Sequence, residues 1–224
     1  MKIVQGINYF FGSFLKERKI HLNSSLNFLE RRRTIDKNYL DYIRLATLEL
    51  AAEEINSKGL QGAVAELGVY KGKFARYLNE YFPGRKLFLF DTFEGFDIKD
   101  VKSEQQQGFS DGKQDFSNTS IDGVLKLMKT PGNCIIKKGY FPATAEGITE
   151  AFVFVSLDTD LYDPIYNGLK FFYPRLVKGG YIFIHDYNND GYIGAKKAVQ
   201  DFAKENNVSY VPIADSCGTA IIVK

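Results

Sequence analysis

The run Phe152-Val153-Phe154-Val155-Ser156-Leu157 is apolar at five of its six positions. A segment that short, without polar alternation, needs cover on both faces, as a central parallel strand has when helices lie on either side. The rest of the chain fits that architecture. Ala63-Val64-Ala65-Glu66, Lys86-Leu87-Phe88-Leu89-Phe90-Asp91, Cys134-Ile135-Ile136 and Tyr181-Ile182-Phe183-Ile184 are further short apolar runs. Helical stretches separate them, at 37–58, 73–81, 121–128, 162–176 and 193–204, and two short strands (210–211 and 220–223) end the chain. Strands alternating with helices imply an α/β fold, a mostly parallel sheet with helices on both faces. Residues 94–118 are polar and glycine-bearing, and are expected to be a long loop of the lid or binding kind.

Residues 1–36 stand outside this rhythm. They carry Tyr9, Phe10, Phe11 and Phe14, and before residue 40 there is a basic excess in Lys16, Arg18, Lys19, Arg31, Arg32, Arg33 and Lys37 over Glu17, Glu30 and Asp36. We read them as a helical arm or lid, and as a contact through which a homo-oligomer could form, preceding one domain at 37–224. The basic run reads as a solvated face or oligomer contact, with an acidic substrate or membrane surface as the alternative. At 224 residues and 45% hydrophobic content the chain can bury a full core, and a net charge of +2 argues against nucleic acid as a partner. The two cysteines, Cys134 and Cys217, offer neither a disulfide framework nor metal-finger spacing, and are expected to be inert thiols. No stretch approaches the ~20 apolar residues that span a bilayer, and no signal peptide is recognisable. A cytoplasmic protein is expected.

Glu66-Leu67-Gly68-Val69-Tyr70-Lys71-Gly72 falls between a strand and a helix. Glycines at 68 and 72 let the backbone turn sharply and admit a ligand where a Cβ would intrude. The acid discriminates between ligands. A dinucleotide places pyrophosphate on the helix N-terminus, where a carboxylate repels it. S-adenosylmethionine has no phosphate, and its ammonium can be held by Glu66. Asp91, ending the second strand, stands where an acid accepts hydrogen bonds from ribose hydroxyls, unless it serves as a cap or Asx turn. Thr92 and Phe93 would line the adenosine pocket, with Gly139, Tyr140 and Phe141 as further lining.

Leu157-Asp158-Thr159-Asp160 and Ile184-His185-Asp186-Tyr187-Asn188 both follow apolar strands. If those strands are neighbours, their ends lie ~4.8 Å apart. Asp158 and Asp186 would then repel unless they share a proton or a cation. Oxygen ligands suit Mg²⁺ best, with Asp160 and Asn188 in reserve. A divalent ion would orient an acceptor hydroxyl and lower its pKa, leaving Asp158 or His185 to take the proton. The competing reading makes these acids helix caps, as Asp163-Pro164 suggests for itself.

With these segments in view, the chain from residue 37 onward resembles the macrocin O-methyltransferase family of class I methyltransferases. The resemblance rests on residues 65–72, on Phe90-Asp91-Thr92-Phe93-Glu94-Gly95-Phe96, on Leu157-Asp158-Thr159-Asp160-Leu161-Tyr162 and on residues 179–187. It implies a Rossmann-like sheet of about seven strands, the last hairpin antiparallel. It implies metal-dependent methylation of a sugar hydroxyl on a glycan or glycosylated natural product, with Glu66, Gly68 and Asp91 on S-adenosylmethionine and Asp158 and Asp186 on the metal. The antibiotic-tailoring members carry two adjacent acids where this chain has His185-Asp186, which makes His185 a nitrogen ligand or a base. The rival readings are a catechol-like phenol methyltransferase, a NAD-binding oxidoreductase, and a non-catalytic member of the fold.

Overall fold

The structure is a computed structural model and describes residues 42–224. The arm at 1–36 and the start of the helix expected from Lys37 lie outside the described residues.

Seven strands form one sheet: β1 (Ala63–Leu67), β2 (Leu87–Asp91), β3 (Cys134–Lys138), β4 (Phe152–Leu157), β5 (Leu176–Ile184), β6 (Val211–Ile213) and β7 (Thr219–Val223). Their order is β3-β2-β1-β4-β5-β7-β6. β1 to β5 pair in parallel, and β7 runs antiparallel to both β5 and β6. Every residue of β1 and β4 is buried, as apolar runs without alternation require. Six helices complete the domain: α1 (Tyr42–Ser57), α2 (Lys73–Tyr81), α3 (Ile98–Gln106), α4 (Ile121–Leu125), α5 (Tyr162–Arg175) and α6 (Ile193–Asn206).

The core is rich in phenylalanine. Phe90, Phe152, Phe154, Phe172, Phe183 and Phe202 are fully buried, each side chain stabilising the fold by ~1.5–3 kcal/mol relative to exposure. Phe141 belongs to this core, edge-on to Phe90 and stacked on Phe172, and does not line a pocket as the sequence suggested.

The strand order reverses between β1 and β4, so the chain leaves their C-terminal ends in opposite directions, the position where open α/β sheets bind ligands. The turns after β1, β2, β4 and β5 share that rim. The expected long loop differs from the sequence reading in one respect, because residues 98–106 form α3.

Candidate functional site

Glu66 ends up fully buried, because β1 is covered on both faces. Burial, and then the negative charge of Asp158, raise its carboxyl well above the ordinary carboxylate range. Its Oε2 is buried without a hydrogen-bond partner. An orphaned carboxylate oxygen inside a protein is costly and calls for a donor or a cation. The ammonium of an amino-acid ligand would meet that need, so the site fits S-adenosylmethionine on chemistry that the chain itself displays.

The turn that follows is built to be tight. Gly68 has φ 88°, and a Cβ there would stand 2.0 Å from the carbonyl oxygen of Asp158. The backbones after β1 and β4 therefore touch at this point. Gly72 begins α2 in the left-handed region, against Val124.

Asp91 organises the turn. Its Oδ2 accepts the N–H groups of Val69 (2.7 Å) and Tyr70 (2.8 Å), and its Oδ1 accepts that of Phe93 (2.6 Å). The acid expected on the ribose thus first ties the β2 end to the β1 turn. Thr92 donates to the Gly95 carbonyl, and Phe93 is buried at φ 55°, so the two shape the turn beside Asp91. Asp91→Ala would leave three amides without their acceptor, at ~1 kcal/mol or more each where they stay dry. We expect S-adenosylhomocysteine affinity to fall tenfold or more by calorimetry, with Asp91→Asn intermediate.

Asp158, Asp160, His185 and Asp186 meet at the same rim, as expected from neighbouring β4 and β5, but their pairing is not the expected one. Asp158 turns Oδ2 to Arg44 (2.9 Å) and Oδ1 to His185 Nδ1 (3.1 Å). The His185 ring also donates from Nδ1 to Asp186 Oδ2 at 2.8 Å. Burial would lower the His185 pKa, but the charge of Asp158 and the two carboxylate hydrogen bonds carry it up to about 12. Both carboxylates thus favour the protonated ring, and His185 stands between the two aspartates that a metal was expected to join.

The carboxylates in direct contact are those of Asp160 and Asp186. Burial and then the charge of Asp186 raise Asp160 well above its usual range. Both residues hold left-handed backbones, φ 60° and 59°, a conformation that costs a non-glycine residue energy and clusters at functional sites. Asp186 Oδ1 accepts from Asn189, whereas Asn188, held in reserve by the sequence reading, turns to Lys196. Cys217, expected to be inert, is half-buried, and its sulfur and donor atoms of His185 and Asp186 lie within 4.8 Å of one another. Carboxylates this close call for a shared proton or a cation, and His185 could join Asp186 and Cys217 in holding a cation only in its neutral form.

Arg44 was missed. It is 3% exposed, reaches Ser156 Oγ at 3.1 Å as well as Asp158, and lies 3.9 Å over the Phe74 ring. The available signal was a cation in phase with Leu48, Ala51 and Ile55 on the buried face of α1. The segment after β2 packs against the β1 turn and against Tyr192. Phe116 packs edge-on to Tyr70 and Phe96, the Thr119 hydroxyl donates to the Tyr70 carbonyl, and Tyr192 donates to Gln114.

Comparison with known proteins identifies the family and supports the fold. Residues 35–221 match the model of a family described as Macrocin-O-methyltransferase (TylF). The 8-demethyl-8-(2,3-dimethoxy-alpha-L-rhamnosyl)-tetracenomycin-C 4'-O-methyltransferase of Streptomyces olivaceus is 26% identical over 195 residues, 80% of this chain and 71% of that protein. Among solved structures, the O-methyltransferase NovP superposes with a TM-score of 0.70 at 18% identity, over 81% of this chain and 79% of that one. Calicheamicin methyltransferase CalS11 gives 0.65 at 18% identity, over 89% and 83%. Among the described residues, no helix is long and apolar enough to cross a membrane.

Proposed function

The chain belongs to the macrocin-O-methyltransferase family and is an S-adenosylmethionine-dependent O-methyltransferase; from that premise we propose that its acceptor is a sugar hydroxyl, on a glycan or a glycosylated natural product, and that a divalent cation assists. A 6-deoxyhexose of the rhamnosyl kind is the acceptor we favour, since the Streptomyces relative is named for methylating one. The observation that carries the reading is the shared rim. The unsatisfied oxygen of Glu66 lies near the C-terminal end of β1, and the Asp160–Asp186 carboxylate pair lies across the switch point, after β4 and β5.

S-adenosylmethionine supplies an electrophilic sulfonium methyl. Glu66 would hold its ammonium, and Asp91 would fix the turn of Gly68 to Tyr70 against it, with Thr92 and Phe93 shaping the adenosine side. A divalent cation, Mg²⁺ by its oxygen donors, would supply positive charge to two neighbouring acceptor oxygens. Asp186 and Asp160 would hold it, with Cys217 adjoining. Of the two candidates for the base, Asp158 is the one without a proton. It would receive the acceptor proton at Oδ1, the oxygen it turns to His185. His185 keeps its own proton and contributes a fixed positive charge where the acceptor oxygen becomes negative. The cytoplasm is where we place such a reaction.

The direct test is transfer of labelled methyl from S-adenosylmethionine to a panel of nucleotide-activated and glycoside-bound deoxysugars, set against catechols. Methylated sugar is the expected product; a methylated catechol alone would overturn the acceptor class. Separately, Mg²⁺ titration should raise the melting temperature of the wild type and not that of Asp186→Asn, because only a cation-binding native state gains from added ion.

A further inference from the structure

We propose that Glu104 is a latch, a positioning residue that fastens the segment 94–118 to the N-termini of α5 and α6 and thereby sets the two loops that form the acceptor side of the site. Glu104 lies on α3 and is 1% exposed. Its Oε2 accepts the N–H of Tyr162, the first residue of α5, at 2.9 Å, and its Oε1 accepts the Ser110 hydroxyl at 3.3 Å. Neither α5 nor α6 has a side-chain cap at its own N-cap residue, Leu161 or Tyr192. An anion brought in from another element answers the unmet amides and the positive end of the α5 dipole.

Gly194 makes room for it at the second helix. It is the second residue of α6, and a Cβ added there would lie 2.4 Å from Oε1 and 2.8 Å from Oε2 of Glu104. The missing side chain on α6 and the buried carboxylate on α3 are thus complementary features of separate elements. Contacts on either side of Glu104 follow the same path: Phe109 against Tyr162, Phe96 against Tyr192, and the Tyr192 hydroxyl on Gln114. The loops so fastened are Asp158–Leu161, directly before α5, and Asp186–Tyr192, directly before α6. They carry the acids discussed above, so the latch bears on catalysis through the proposed function, while the latch itself needs no methyl transfer to be tested.

The pairing gives a sign reversal to look for. At a helical position with ordinary backbone angles, glycine to alanine normally stabilises a helix. Here Gly194→Ala should instead displace the Glu104 carboxylate and release the segment. Hydrogen exchange on the ligand-free protein reads this directly. We expect amides of 98–118, and of the 158–162 and 186–194 loops, to exchange at least tenfold faster in both Glu104→Ala and Gly194→Ala, with β1, β2 and β4 unchanged. In the Glu104→Ala background, adding Gly194→Ala should be neutral or should raise the melting temperature. Glu104→Gln still accepts from the Tyr162 N–H and should recover most of the protection, whereas Glu104→Leu, of similar volume, should recover none. The proposal is overturned if Gly194→Ala alone stabilises the protein with protection at 98–118 intact. It is equally overturned if the core strands lose protection to the same degree, or if leucine at 104 serves as well as glutamine. Because this readout uses neither cofactor nor acceptor, its failure is distinct from a failure of the methyl-transfer reading.

Discussion

Gly68→Ala should give a protein that has lost a large part of its stability and does not bind S-adenosylhomocysteine. The added Cβ would meet the Asp158 carbonyl oxygen at 2.0 Å and its carbon at 2.6 Å, and these are backbone atoms with no rotamer through which to escape. The substitution also forces φ 88° on a residue with a Cβ, at ~1–2 kcal/mol. Driving apart two packed backbones adds ~1–3 kcal/mol at least, as overpacking does. A total of about 2–5 kcal/mol is a large part of the ~5–15 kcal/mol that domains possess. The turn and the Asp158 loop would separate, so the ends of β1 and β4 would lose the spacing that sets cofactor against acceptor. Gly59→Ala is the control. Gly59 also has a positive φ, 62°, but no atom within 4 Å of an added Cβ, so it carries the backbone cost without the clash. Urea midpoints of the two variants isolate the steric part, and calorimetry with S-adenosylhomocysteine reads the site. If Gly68→Ala falls within ~1 kcal/mol of Gly59→Ala and still binds, close contact between these turns is not what holds the rim together.

The rim itself was legible in the sequence because parallel strands all end on one edge. Once 63–66, 86–91, 152–157 and 181–184 read as buried strands, the residues just beyond them had to meet. What could not be read was partner choice, since spacing assigns a residue to an edge without saying what it touches. Asp91 was placed correctly and proved to hold backbone amides. His185 took the position between Asp158 and Asp186 that a metal was expected to fill.

Elements whose buried faces carry charge were hidden for a different reason. α3 buries Asp100 and Glu104, four residues apart, while its apolar Ile98 is exposed. Hydrophobic periodicity finds helices by an apolar stripe, so a helix that docks through acids is read as polar loop. Arg44 escaped notice in the same way on α1. Both are cases where burial is stabilised by a specific partner in place of apolar area, and the partner lies far away in sequence.

Removing Arg44 tests that second kind of burial most severely. Arg44→Met keeps length and apolar volume but leaves Asp158 with His185 alone as its charged partner and Ser156 without its donor. Breaking one side of a buried ion pair costs ~3–5 kcal/mol when the remaining charge is stranded, and His185 keeps the cost below that here. Lysine is not an adequate replacement. A single ammonium cannot donate to Asp158 and Ser156 in a fixed fork while lying flat over Phe74, so Arg44→Lys should recover only part of the loss. The acid limb of the stability profile adds an independent check. Burial pushes the Asp158 carboxyl up, but the charges of His185 and Arg44 outweigh it and hold the group well below the ordinary range. A pKa lowered on folding contributes stability above the unfolded value of about 4, and that contribution is lost as pH falls below it. Arg44→Met should therefore flatten the loss of stability below pH ~4, since less of the Asp158 contribution remains to be lost. Asp158→Asn in the Arg44→Met background removes both charges and should restore much of the stability, since deleting a whole buried pair is far cheaper than halving it. Methyl transfer should not return with it, because the proposed base is gone. Recovery of transfer in that double variant, or an Arg44→Met protein as stable as wild type, would show that the buried pair neither holds the end of β4 nor serves the reaction.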